Sequence, residues 1–310
     1  MNTVRFGKTE LQVTRLGFGA APVGFLDTPA EKVRQILGEL LDAGVNLVDT
    51  GACYPGSEEL LGHALADRRD RCLLVSKCGH TQPDLEGEEW SPGLIEKTID
   101  RSLKRMNTDH LDVVLLHSCP REVLEQGDAM AALVRARDAG KVRHVGYSGD
   151  GDAAAYAAAL PETEVIQTSI NIADQHNIDD VLPVCRERDL GVIAKRPLTN
   201  AAWREPERRP GFYREYGETY AQRLAAMDLR PHDFGFQGHA ELEWPELALR
   251  FVLSLEGVHT AIAGTTSSVN ARANLLAAQK GPLAEDAVRK IRQAFTDAEQ
   301  QTGETWAAQM

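Results

Sequence analysis

The sequence has no cysteine pattern that could staple a fold. Its five cysteines, Cys53, Cys72, Cys78, Cys119 and Cys185, are odd in number and form no Cys-x-x-Cys pair. A disulfide framework and a structural zinc site are therefore not expected, and the thiols read as reduced. No stretch supplies the roughly 18 consecutive apolar residues of a membrane span. The first thirty residues show no basic segment followed by an apolar one, so no secretory leader is expected. An excess of positive charge is also missing: the formal net charge is -12, which disfavours nucleic acid and anionic lipid as partners. These absences leave a soluble, cytoplasmic protein whose partner is a small molecule. Gly-x-Ser-x-Gly, His-Glu-x-x-His, a Walker-type loop and a Gly-x-Gly-x-x-Gly after a strand are missing too. Serine-nucleophile hydrolysis, zinc proteolysis and the doubly wound dinucleotide fold lose their sequence signatures with them.

What is present is a 310-residue chain, 43% hydrophobic, with a repeating alternation. Val4 to Phe6 and Leu11 to Thr14 flank Gly-Lys-Thr-Glu and read as a β-hairpin. Eight short apolar runs follow: Leu16 to Ala20, Asn46 to Asp49, Cys72 to Lys77, Leu111 to His117, Val142 to Ser148, Val165 to Ile170, Val192 to Lys195 and Thr260 to Gly264. Between them lie helix-periodic stretches such as Glu31 to Ala43 and Leu94 to Met106. Runs that are apolar throughout fit parallel strands covered on both faces. Eight such units over about 250 residues predict an α/β fold of the (β/α)8 TIM-barrel type, a single domain over residues 1–310. Two connections are long, Gly79 to Gly93 after the third barrel strand and Thr199 to Glu243 after the seventh. Loops of that length at the carboxyl ends of barrel strands are expected as lids or binding loops. Their His80, Trp90, Trp203, Phe212, Tyr213 and Tyr216 are candidates for lining a pocket or for anchoring the loops to the wall.

Asp49, Lys77 and His117 each end a predicted strand, so a parallel barrel brings them to one rim, and Tyr54 sits in the turn just beyond Asp49. Each alone has an ordinary structural explanation, as a helix cap, a snorkelling cation, a satisfied histidine or a packing aromatic. Together they suit carbonyl reduction. Hydride arriving at a carbonyl carbon leaves an alkoxide that must be protonated. A phenol is a weak acid at neutral pH, and a neighbouring Lys77 ammonium is expected to lower its pKa. Asp49 would hold Lys77 charged, and His117 would donate to the carbonyl oxygen.

Asp49-Thr-Gly-Ala-Cys-Tyr54-Pro-Gly-Ser-Glu-Glu-Leu-Leu-Gly62, Leu74-Val-Ser-Lys77 and Leu111-Asp-Val-Val-Leu-Leu-His117 resemble the signatures of the aldo-keto reductases, as do Leu16-Gly-Phe-Gly19 and Ala261-Ile-Ala-Gly-Thr-Thr-Ser-Ser. The resemblance spans nearly the whole chain. It implies a barrel that uses NADP(H) or NAD(H) without a metal, with Tyr54 as general acid, Lys77 and Asp49 supporting it, and His117 orienting the carbonyl. It implies cofactor contacts at Gly19, Asp49, Ser148 and Gln167, then at Lys195, Arg196 and Leu198, and at the adenosine end at Gly264, Thr265, Thr266, Asn270 and Asn274.

The chain departs from the family pattern in three places. The Asn that commonly follows Ser148 is Gly149. The usual Tyr-Ser-Pro-Leu is Lys195-Arg196-Pro197-Leu198, which removes an aromatic platform and offers Arg196 either to the pyrophosphate or to an acidic loop residue. Gly264, Thr266 and Asn270 are uncharged where NADPH-selective members carry Lys or Arg, and Arg272 lies elsewhere, which implies relaxed specificity or a tilt toward NAD(H). Two other readings stay open: a non-catalytic subunit that senses the nicotinamide cofactor within a larger assembly, and a barrel enzyme of unrelated acid-base chemistry. The carbonyl or alcohol substrate, the direction of reaction and the oligomeric state are not legible.

Overall fold

The computed structural model describes residues 1–309 apart from Pro210 and Phe212; the Phe212 expectation thus lies outside the described residues. The hairpin is present as β1 (Thr3–Arg5) and β2 (Gln12–Thr14), antiparallel with Val4 opposite Val13. Eight parallel strands then close on themselves: β3 (Leu16–Gly19), β4 (Leu47–Asp49), β5 (Leu73–Cys78), β6 (Leu111–His117), β7 (Val142–Ser148), β8 (Val165–Ser169), β9 (Gly191–Lys195) and β10 (Thr260–Ala263). Closure comes from β10 against β3, with Ala261 beside Leu16. Each strand lies within a residue or two of its expected position.

Two apolar layers explain why the strands read as unbroken hydrophobic runs. Leu47, Val75, Val113, Leu115, Val165, Ile193 and Ile262 pack with Phe6, Leu11 and Val13 from the hairpin region. Alternate residues, among them Val48, Leu74, Val114, Leu116, Ile166 and Val192, join the larger cluster formed with the surrounding helices. Because strand side chains alternate with period two, the residue two places beyond each inner-layer residue points inward one layer higher. That rule carries Leu47 to Asp49, Val75 to Lys77, Leu115 to His117, Val165 to Gln167 and Ile193 to Lys195. Gly146 does the same for Ser148, and it must be glycine, since a Cβ there would stand 1.8 Å from the Val165 carbonyl oxygen.

The long segment after β9 is more ordered than its composition implies. It contains a helix, Glu218–Met227, that buries Tyr220, Arg223, Leu224 and Met227, a spacing that matches one helical face. The following helix, Ala240–Leu253, starts inside the stretch read as loop. Among the described residues no helix is long and apolar enough to cross a membrane.

Charge pairs close the amino-terminal end of the barrel. Asp112 is buried and accepts from the Leu74 backbone N–H at 2.8 Å, Arg69 at 2.9 Å and Arg143 at 2.9 Å. Nearby, buried His144 has Nδ1 at 2.9 Å from Glu164 and Nε2 at 3.1 Å from Glu10. Burial alone would lower the His144 pKa, but the Glu164 and Glu10 carboxylates outweigh it and hold the value above normal. A raised histidine adds stability below its unfolded pKa and loses that contribution as the pH rises through the folded value. Glu164→Gln should therefore lower Tm more at about pH 5.5 than at about pH 9, measured by thermal unfolding of both proteins. An equal gap at both pH values would show that His144 does not carry charge in this pair.

Candidate active site

Lys77 is 2% exposed. Its ammonium donates to both Asp49 carboxylate oxygens at 2.8 Å and to the Thr50 carbonyl at 2.6 Å, which occupies all of its hydrogens. Gln167 donates to the same carboxylate at 2.7 Å, and Ser148 donates to the Gln167 carbonyl oxygen at 3.0 Å. Residues from β5, β4, β8 and β7 thus form one hydrogen-bonded chain across the mouth of the barrel.

Tyr54 and His117 stand over this chain. The turn after β4 folds back through a Tyr54 N–H to Gly51 carbonyl bond of 2.9 Å, laying the phenol ring over Gly51, where a Cβ would stand 3.2 Å from the ring. The Lys77 nitrogen is 5.2 Å from the Tyr54 centroid, and the His117 ring meets Tyr54 edge-on at 5.9 Å. Phe25 covers the phenol from the first βα connection at 5.5 Å. Ser118 at φ 60° turns the chain immediately after His117.

The electrostatics correct one expectation. The Tyr54 pKa is raised well above its normal value, first by burial and then by the Asp49 carboxylate. The Asp49 carboxylate that pairs with the Lys77 ammonium contributes to this rise, so the expected lowering by Lys77 is outweighed. Tyr54 is therefore a neutral phenol that keeps its proton. His117 is pushed well below its usual value by burial, then by Lys77, His80, Lys195 and Arg196, and it is a neutral imidazole at physiological pH.

The loop after β5 reaches the site. His80 lies 5.0 Å from His117, with Trp90 against it at 4.7 Å. The segment after β9 divides its aromatics. Tyr213 lies near enough to Tyr54 for that phenol to raise the Tyr213 pKa, though burial is the larger cause. Tyr216 lies under the Arg196 guanidinium at 4.7 Å. Trp203 stacks on Trp244 at 6.0 Å and serves the wall.

Around the rim, the expected cofactor residues are close together but already engaged. Lys195 pairs with Asp150 at 2.9 Å, a residue not singled out from the sequence. Buried Asp150 also accepts from Thr168, the Ser169 backbone and Asn177 at 2.9, 2.6 and 3.0 Å. Burial would raise the Asp150 pKa, yet Lys195 and Arg196 hold it below normal. Arg196 donates to Ser169 at 2.9 Å and to the Gln309 carbonyl, and lies 3.8 Å from Asp150. The acidic alternative for Arg196 is thus realised, on the loop after β7. Arg196, Thr199, Asn200 and Ala201 all adopt positive φ, a concentration of backbone strain beside half-buried Leu198.

At the far side Gly264 abuts Gly19, whose carbonyl would lie 2.6 Å from a Cβ at 264. Thr265 accepts from the Ser267 N–H at 3.1 Å, and Ser267 caps the helix Ser268–Gln279. Asn274 is buried on that helix, and Thr266 and Asn270 lie nearer solvent. Arg272 is clamped by Glu39 through two bonds of 2.8 Å. The donor chemistry fits a nicotinamide dinucleotide. The Ser148 oxygen and the Gln167 amide retain unused hydrogen-bonding capacity for a carboxamide, and two cations and a helix amino terminus suit phosphates. Among the described residues no group of three His, Cys, Asp or Glu could hold a metal.

Comparison with known proteins points one way. The sequence profile of the Aldo/keto reductase family matches residues 15–295. An L-galactose dehydrogenase from Arabidopsis thaliana is 25% identical, covering 87% of this chain and 86% of its own. An NADH-specific methylglyoxal reductase from Escherichia coli is 26% identical, covering 89% and 93%. The holo form of an aldo-keto reductase from Bacillus halodurans superposes with a TM-score of 0.77 at 25% identity, over 95% of this chain and 96% of the other.

If Asp49 is what makes a buried ammonium tolerable, Asp49→Asn should cost about 3–5 kcal/mol in denaturant unfolding, since it leaves Lys77 unpaired. The double variant Asp49→Asn with Lys77→Met should lose less. A single variant that costs under about 1 kcal/mol would mean the pair is not a stability element.

Proposed function

The chain belongs to the aldo/keto reductase family of NAD(P)-dependent oxidoreductases, and on that premise we propose that it interconverts an aldehyde, ketone or sugar hemiacetal with its reduced or oxidised partner, with Tyr54 as general acid/base. The observation that carries this reading is the Tyr54 phenol and the His117 imidazole meeting edge-on at 5.9 Å above an ammonium paired with Asp49 and the Thr50 carbonyl. Ser148 and Gln167 would hold the carboxamide, Lys195, Arg196 and Leu198 the pyrophosphate side, and Gly264, Thr265, Thr266, Asn270 and Asn274 the adenosine end. When bound, the nicotinamide supplies or accepts the hydride.

In the reducing direction, His117 donates a hydrogen bond to the carbonyl oxygen and Tyr54 gives up its proton as negative charge collects there. The raised phenol pKa keeps the proton on Tyr54 until that charge develops. An alkoxide is more basic than a phenolate, so the transfer runs downhill, and before that point the proton stays on Tyr54. Lys77 lies close enough to offset the phenolate that forms, while Asp49 and the Thr50 carbonyl keep the ammonium from moving into the substrate space. In the oxidising direction the same phenolate accepts the alcohol proton.

We read the cofactor preference as relaxed or tilted to NAD(H). A 2′-phosphate seeks a fixed cation; Gly264, Thr266 and Asn270 supply none, and Arg272 is held by Glu39. The name of the Escherichia coli relative supports that tilt, and that of the Arabidopsis relative supports testing sugars. The whole chain is proposed to act as one barrel domain, and its free thiols suit the cytoplasm.

Initial rates with NADH and NADPH against a panel of simple aldehydes, dicarbonyls and aldoses test the reading, and turnover of at least one is expected. Tyr54→Phe should lower kcat/KM by about 10²–10⁴ with cofactor affinity unchanged. Cofactor binding without turnover of any carbonyl would favour a sensing subunit instead. Thr266→Arg should shift the NADPH/NADH ratio of kcat/KM upward by about tenfold or more; no shift would place the 2′ substituent elsewhere.

A further inference from the structure

Cys53 comes immediately before Tyr54, yet nothing in the chemistry above uses it. Its half-buried sulfur lies 3.4 Å from Nδ1 of His117, within reach for a thiol–imidazole hydrogen bond. The tight Gly51–Tyr54 turn places a thiol and a phenol on consecutive residues, and both face the same imidazole ring.

A neutral imidazole has one proton and two nitrogens on which to carry it. Four nearby groups, Lys77, His80, Lys195 and Arg196, together with burial, disfavour the doubly protonated ring. The ring must therefore take one tautomer or the other, and the two differ chemically. With the proton on Nε2, His117 can donate to a carbonyl oxygen. With the proton on Nδ1, it turns a lone pair toward that oxygen and repels it.

We propose that Cys53 is a positioning residue whose S–H donates to Nδ1 of His117 and so holds the ring in the Nε2–H tautomer that orients the substrate carbonyl. The assignment rests on the preceding reading of His117 as the group that contacts the carbonyl. Its direction follows from donor and acceptor strength. An unprotonated imidazole nitrogen is a good acceptor and a thiol sulfur a weak one, so the contact is better made as S–H to nitrogen than as N–H to sulfur. The thiol keeps the hydrogen this requires. Burial raises its pKa, and the opposing effect of the Lys77 ammonium is smaller, which also sets it apart from reactive cysteines, whose pKa is depressed. The neighbouring imidazole is engaged elsewhere, because His80 Nδ1 lies 3.1 Å from Glu89.

The test combines long-range ¹H–¹⁵N correlation spectra of the His117 ring with steady-state kinetics for the full-length wild type, Cys53→Ala and Cys53→Ser. The wild type should give the Nε2–H pattern. Cys53→Ala should give a mixture of tautomers and lower kcat by about three- to tenfold, with Tm and cofactor affinity unchanged. A hydroxyl can also donate, so Cys53→Ser should restore the Nε2–H pattern and most of the lost turnover. A proton on Nδ1 in the wild type overturns the proposal, and so does an unchanged tautomer in Cys53→Ala. Should that variant fail to fold, the wild-type spectrum and Cys53→Ser decide. A wild type that shows the expected tautomer but reduces no carbonyl would overturn the reading of the reaction and leave the tautomer assignment standing.

Discussion

An ammonium group sits at the mouth of this barrel with almost no access to water, and the arrangement around it follows from keeping it there. Lys77 is tolerable only because Asp49 and the Thr50 carbonyl take all three of its hydrogens, since an unpaired charge at that depth would be severely destabilising. The Asp49 carboxylate then recruits Gln167, and Gln167 recruits Ser148. One buried charge thus fixes side chains from β4, β5, β7 and β8. It also sets the protonation of the phenol above it. Because the ammonium is paired where it lies, Tyr54 feels burial and the carboxylate more than the cation, and it keeps its proton.

Much of this was legible because the period of a strand is two. An apolar run that ends in Asp49, Lys77 or His117 places that residue on the same face as Leu47, Val75 or Leu115, and in a closed barrel that face is the interior. Hairpin, strand count and rim residues follow from pattern alone. The resemblance to aldo-keto reductases then implied the individual roles of Asp49, Tyr54, Lys77 and His117, which pattern alone leaves open.

What stayed hidden depends on which strand meets which and in what register. Asp150 gathers Thr168, Ser169, Asn177 and Lys195, but nothing near it in the chain marks it as such a centre. The Cys53 contact with His117 spans 64 positions, and the Arg196 bond to Gln309 spans 113. The helix Glu218–Met227 was readable in principle, since its buried residues keep helical spacing, yet the Arg, Glu and Gly around it gave the stretch a loop-like composition. The acidity of Tyr54 is not legible in the sequence for a physical reason: proximity of Lys77 predicts a lowered pKa, whereas the sign depends on what else the ammonium is bonded to.

The cofactor side carries a different constraint. Lys195 and Arg196 are the cations best placed for phosphates, and each already has partners. On the proposed cofactor path a dinucleotide would share them with Asp150, Ser169 and the Gln309 carbonyl, so binding there would exchange hydrogen bonds on a strained turn. The most direct measurement is a crystal structure with a nicotinamide cofactor and an unreactive carbonyl analogue. The account predicts the carbonyl oxygen within hydrogen-bonding distance of both the Tyr54 hydroxyl and Nε2 of His117, with the Lys77–Asp49 pair intact beneath them. A carbonyl seated beyond reach of both groups would contradict it.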